Sequence, residues 1–257
     1  MTAAVAVTPV MTVIDRAVVE AAAGQSSLMA SVRSSLKQMV RQPHKSAAPR
    51  PFGAMLLLYA GTYFTANAID TVSANNEGLR AESTTSSTTK LCAVTGVNVG
   101  LALNKDSCFA RSFGTAATRS RALPRISYVP FLVRDGITLF ATFNLPGRVA
   151  SSFPDEVEKY MSRLSAAQLI MPAASQFVTT PLHLLGLDLY YRNGKLGFWE
   201  RVKAAKRAWL STSLARACRI IPAYGIGGIV NNDSRAYLMM KMEGRKRDPP
   251  MMDGIDA

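Results

Sequence analysis

Metal-binding and redox residues are scarce in this chain. Its 257 residues hold two histidines, His44 and His183, and three cysteines. Cys92, Cys108 and Cys218 lack metal-ligand spacing, and an odd count builds no disulfide framework. They read as small core residues. No paired-carboxylate motif or nucleophile elbow occurs. Gly225, Gly227 and Gly228 follow no strand and precede no Gly-Lys-Ser, so they read as a close-packing face rather than a phosphate loop. Enzyme activity, a resident metal and a cofactor are therefore not expected.

Acids are also few: 17 against 30 basic residues, a net charge of +13. Yet 48% of the chain is hydrophobic and its mean hydropathy is +0.10. A soluble nucleic-acid-binding protein gains charge at the expense of apolar residues. Here the two coexist, which implies apolar spans joined by basic loops and excludes nucleic acid as the expected partner.

Residues 1–30 carry Asp15 and Glu20 and lack a basic leading region, so they resemble neither a secretory signal nor an organellar presequence. Val10, Ile14, Val18 and Ala22 fall at helical spacing, and Gly24, Ser26 and Ser27 weaken the end of that helix. Residues 31–50 hold Arg33, Lys37, Arg41, Lys45 and Arg50 and no acid, and form either a targeting element or a basic loop. Within them, Ser31–Val40 reads as an amphipathic basic helix with Leu36, Met39 and Val40.

The clearest span is Pro51–Ile69, uncharged and close to the roughly 20 residues a bilayer needs. A polar loop with the run STTSSTT follows. Further apolar segments are Leu91–Asn104, Ile126–Leu145, Leu164–Leu187 and Leu214–Asn232. Pro172 and Pro181 kink the fourth of these five spans, which a helix bundle tolerates. A short surface helix is expected after Pro154, and a turn at Asn193-Gly194. Phe198, Val202, Ala205 and Trp209 share one face of a basic amphipathic helix, with Lys203, Lys206 and Arg207 elsewhere. Those three cations, with Trp199 and Trp209 as interface anchors, are the lipid-contact candidates, and anionic, cardiolipin-like lipid is the expected partner.

Loop charge supports several crossings. Residues 31–50 carry five cations and no acid, 105–125 five and one, 190–219 eight and one. The intervening loops 68–90, 147–163 and 233–257 sum to −1, zero and zero. Alternation of this kind is the positive-inside pattern of a multi-span protein.

Short echoes suggest an internal repeat. VTGVNVGLAL at Val94–Leu103 matches VTTPLHLLGLDL at Val178–Leu189, and TYFTAN, LFATFN and GGIVNN place Asn67, Asn144 and Asn232 at the ends of three spans. With Arg216, Arg219 and Pro222 in LARACRIIPAYGIG, Arg121 and Pro124 in the middle repeat, and Pro181 in TTPLHLLG, residues 50–236 resemble the mitochondrial carrier family. The chain departs from that family's signatures: His183 stands where the acid belongs, Gly186 where the base belongs, and Asn231-Asn232 precede Arg235 in place of the aromatic and the acid.

The resemblance implies an all-α carrier-like bundle of five or six transmembrane helices in three pseudo-repeats, with short matrix-side interfacial helices, in the mitochondrial inner membrane. It divides the chain into a 1–49 extension holding a degenerate first helix or basic amphipathic segment, a 50–236 membrane domain and a 237–257 polar tail. It makes Arg134, Asp135, Arg219 and His183 the substrate-contact candidates, because ionisable residues at membrane depth are functional by default. Pro181, Asp188, Pro222, Asn67, Asn144, Asn232 and Arg235 become gate or motif positions, with Asp188 expected to pair with Lys105 or Arg216. The implied function is transport of an anionic metabolite. The alternative is a transport-inactive carrier-derived subunit of a larger inner-membrane complex, with the subunits of that complex as its partners.

Overall fold

A computed structural model describes residues 1–47, 49–78, 88–114, 122–192 and 197–242, and in these the regular structure is helical throughout. The helices are α1 (Thr2–Ala22), α2 (Leu28–Arg41), α3 (Pro43–Ala47), α4 (Arg50–Asn76), α5 (Thr88–Ser112), α6 (Arg125–Phe143), α7 (Leu145–Val149), α8 (Arg163–Arg192), α9 (Phe198–Cys218) and α10 (Gly227–Met242). A π-helical turn, Ile221–Ile226, joins α9 to α10. Most of the Ser/Thr run, Arg121, the Asn193-Gly194 turn and most of the polar tail lie outside the described residues.

Local chemistry explains the helix ends. α1 stops because Gly24 adopts φ +72°, and the Gln25 N–H closes back onto the Glu20 carbonyl at 3.0 Å. The Ser27 hydroxyl then accepts from the Ala30 N–H and starts α2. A 3-10 turn, Asp155–Lys159, follows Pro154 where the short surface helix is expected. Pro181 removes the N–H that would bond the Phe177 carbonyl. The Trp209 indole N–H donates to that carbonyl instead, at 2.8 Å, so the side chain read as an interface anchor also satisfies the proline kink.

α6 packs on α8, α8 on α9, and α4 on α5, while α1 contacts α2, α4 and α10. Val7, Met11, Met55, Phe109, Phe131, Leu187 and Tyr190 form much of the core. Outward faces are apolar too: Leu57, Phe64 and Val72 on α4, Ile126, Val129, Leu132, Val133 and Phe140 on α6, and Trp199, Val202, Leu210 and Leu214 on α9 are exposed. Such a belt is out of place in water and suits lipid. Cys92 and Cys218 are exposed rather than core residues.

Among the described residues two helices are long and apolar enough to cross a membrane, α1 and α4. A third is added if α6 and the segment after it, bent by 44°, count as one span. Of the five expected spans, Leu91–Asn104 lies in α5, which also carries Lys90, Lys105 and Asp106, Leu164–Leu187 lies in α8, whose Ser, Gln, Thr, Pro and His side chains make it too polar on average, and Leu214–Asn232 is divided by the π turn. Conversely, the 1–49 extension, expected to hold a degenerate first helix or basic amphipathic segment, contains a helix that qualifies.

The threefold carrier arrangement is not reproduced. Asn67 exchanges two amide hydrogen bonds with Asn231, at 2.9 and 3.0 Å, not with Asn232. Asn144 and Asn232 are exposed. Gly186, where a carrier carries its base, is filled by the Phe131 ring, which a Cβ there would strike. Gly186→Ala is therefore expected to cost about 1–3 kcal/mol by overpacking, read as a lower thermal midpoint in detergent.

Candidate functional site: a buried ion cluster around a cavity

The charges that survive inside the bundle meet in one place. On α1, Asp15 projects from the same face as Met11 and Val18, all three buried. It accepts from Lys105 Nζ of α5 at 2.6 Å and pairs with Arg219 at the end of α9. Lys105 also pairs with Asp106 at 2.6 Å, and Asp106 pairs with Arg134 of α6 at 2.7 Å. Arg134 in turn donates to Asp135 Oδ1 through Nε and Nη2, at 2.8 and 2.6 Å. A continuous ladder thus ties α1, α5, α6 and the α9 end together. Charges this deep are tolerated only when paired and hydrogen-bonded.

A cavity of about 220 Å³ opens beside the ladder. Lys105, Arg134, Asp135, Arg219, Gln176 and Arg216 form its charged and amide wall, and Thr62, Tyr63, Asn98 and Thr138 add neutral polar groups. Two of these side chains have capacity to spare. Arg216 is 5% exposed and forms no ion pair among the described residues; its Nε and Nη2 donate to the neutral Gln176 Oε1 at 3.1 and 2.9 Å. The second oxygen of Asp135, Oδ2, is buried and accepts no hydrogen bond from the described residues. Counting the groups of this cluster, four cations face three carboxylates.

The π turn shapes one side. Ile220 and Ala223 line the cavity, and Tyr63 of α4 donates to the Ala223 carbonyl at 3.1 Å. Pro222 cannot bond its own predecessor turn, which fits the wide π winding.

Of the four substrate-contact candidates, Arg134, Asp135 and Arg219 line the cavity. His183 does not: its Nδ1 lies 2.7 Å from Arg134 Nη1 and its ring packs on Phe131, so it stands behind Arg134. Asp188 pairs with Arg201 and Arg192 rather than Lys105 or Arg216. Arg235 is buried and donates to Thr71 at 3.4 Å, away from the cavity, as is Pro181. Lys203, Lys206, Arg207 and Trp199 are exposed on α9, and Trp209 partly so.

Asp15, Asp106 and Gln176 were not among the expected site residues; Lys105 and Arg216 were expected as partners for Asp188, and Arg216 also as a carrier-motif base. One signal was legible: Asp15 interrupts an apolar helix four residues after Met11, the position where an acid needs a partner.

Helical throughout the described residues, with apolar outward faces and a cavity walled by both signs of charge, the bundle has the architecture of a membrane transporter. Within that class the chain belongs to the family described as probable citrulline exporter, whose model matches residues 1–239. No curated protein and no solved structure gives a significant match to the chain. The family match overturns the carrier resemblance. The echoes behind that resemblance are short, and its signature positions are occupied by Gly186 packed on Phe131 and by the exposed Asn144 and Asn232. The inner-membrane location expected from the carrier resemblance loses the ground it stood on.

Proposed function

We propose that the protein carries a zwitterionic amino acid of the citrulline type across a membrane through the central cavity. The observation that carries this reading is a pair of oppositely charged side chains lining the cavity. Arg216 offers a guanidinium that forms no ion pair among the described residues, and Asp135 offers a carboxylate. An α-amino acid brings the complementary set: a carboxylate for Arg216 and an ammonium for Asp135. The ureido end of citrulline is neutral, and the neutral polar wall of Thr62, Asn98 and Thr138 suits such a group.

Charge excess also sets selectivity. Arginine differs from citrulline by carrying a cation where the ureido group is neutral. In a cavity wall already richer in cations than in carboxylates, that extra charge is disfavoured. The family description points to the same substrate class.

Purified protein in vesicles preloaded with labelled citrulline tests this. Release is expected well above that of protein-free vesicles, with unlabelled citrulline competing and arginine competing poorly. Asp135→Asn is expected to slow release by about 10- to 100-fold, the worth of one charged hydrogen bond of roughly 1.5–3 kcal/mol. No release above the protein-free rate would sink the proposal and favour an accessory subunit without transport.

A further inference from the structure

The helix α2 is turned inside out relative to a helix of a soluble protein. Its inward face is polar. The Ser31 hydroxyl donates to Glu20 of α1 at 2.5 Å, and Gln38 accepts from Arg16 of α1 at 3.0 Å, with Ser35 buried between them. Its outward face is apolar: Met29, Leu36 and Val40 are 71%, 48% and 82% exposed. At about 100° per residue those three side chains fall within about 40° of one another, a narrow stripe along the helix. Arg33, Lys37 and Arg41, all exposed, repeat at i+4 spacing along one flank of that stripe.

Position adds to pattern. α2 lies in the connector between α1 and α4, the two helices long and apolar enough to cross a membrane. Both spans border the connector, so α2 sits at a membrane surface. Residues 31–50 hold five cations and no acid. An apolar stripe with a cationic flank, held at the end of a span, matches the headgroup boundary of an anionic leaflet.

We propose that the outward face of α2 is an anionic-lipid-binding surface, with Met29, Leu36 and Val40 seated at the acyl boundary and Arg33, Lys37 and Arg41 on the phosphates of the same membrane. This surface is distinct from the central cavity and does not depend on what passes through it. It also differs from the α9 surface of Lys203, Lys206 and Arg207. The serine face of α2 follows from the same arrangement: with the apolar side committed to lipid, polar bonds to Arg16 and Glu20 must hold the helix to the bundle.

Hydrogen exchange read by mass spectrometry on full-length protein in nanodiscs, one copy per disc, tests this. Discs of phosphatidylcholine alone are compared with discs in which a third of the lipid is phosphatidylglycerol. Amides of residues 28–41 are expected to exchange more slowly in the anionic discs, and the difference should shrink as salt rises. Replacing Arg33→Gln, Lys37→Gln and Arg41→Gln together should abolish the dependence on anionic lipid, at about fivefold in protection per cation. Met29→Ser with Leu36→Ser and Val40→Ser should lower protection in both disc types. Equal exchange in the two disc types for the native protein would overturn the proposal. Protection that emerges only in discs holding two copies would overturn it in favour of a contact between copies. Because the native protein's response to lipid and salt decides the outcome, a variant that fails to fold does not blunt the test.

Discussion

Arg216→Met is expected to slow citrulline release by about 10- to 100-fold while leaving the bundle as stable as before or more so. The two effects separate because Arg216 is buried with only a neutral amide for company. Removing a charge from water costs several kcal/mol, and Arg216 recovers none of it through a carboxylate partner. Methionine fills similar volume without that penalty. Gln176 loses its donors, a cost of about 1–3 kcal/mol if nothing replaces them, but its Nε2 still donates to the Pro172 carbonyl at 3.1 Å. Transport loses the only cavity cation not committed to a carboxylate among the described residues, and about 10- to 100-fold in rate with it. Arg216→Lys should recover part of the rate, since a point charge attracts a carboxylate without the bidentate fork. The measurements are the thermal midpoint in detergent and release from vesicles. A midpoint that falls sharply together with the rate would place Arg216 among the structural ties instead.

Asp15→Ala should do the opposite, damaging the fold first. Asp15 is the only acid on α1 that reaches the cavity side, and it pairs with both Lys105 and Arg219. Its loss leaves Arg219 without a carboxylate among the described residues, while Lys105 keeps Asp106. Breaking a buried pair in this way costs about 3–5 kcal/mol, a large part of a typical stability of roughly 5–15 kcal/mol. At about 2–4 °C per kcal/mol for a chain of this size, the thermal midpoint should drop by ten degrees or so. Asp15→Ala combined with Arg219→Met should regain part of that loss, because the double change removes the stranded cation. An Asp15→Ala protein that melts with the native one would show that the ladder does not hold α1 in place.

Much of the architecture was legible in the residues. The uncharged run after Pro51 marks α4, and the chain's apolar, acid-poor balance marks a membrane protein. Arg134 and Asp135 stood out because charges within an apolar segment need a reason, and both line the cavity. Less legible was the pattern of repeats. The echo aligns Asn67 with Asn232, and the structure joins Asn67 to the neighbouring Asn231. On a helix, one residue of register turns a side chain by about 100°, enough to move it from a partner to the surface. Short echoes carry no such resolution, so of three asparagines at similar positions one is hydrogen-bonded and two are exposed.

By itself, then, the sequence determined the helical class, the apolar faces and the presence of ionisable residues inside apolar segments, because hydropathy and helical period are local properties. Tertiary structure alone decided which of those residues meet. Asp15 and Arg219 are 204 positions apart and become one ion pair, while Asp188 takes Arg201 rather than Lys105. Pairing depends on how helices dock, and docking is set by many small contacts such as Phe131 on Gly186. Charge and composition announce that buried ions need partners. Only the packed bundle determines that, among the described residues, Arg216 has no carboxylate partner.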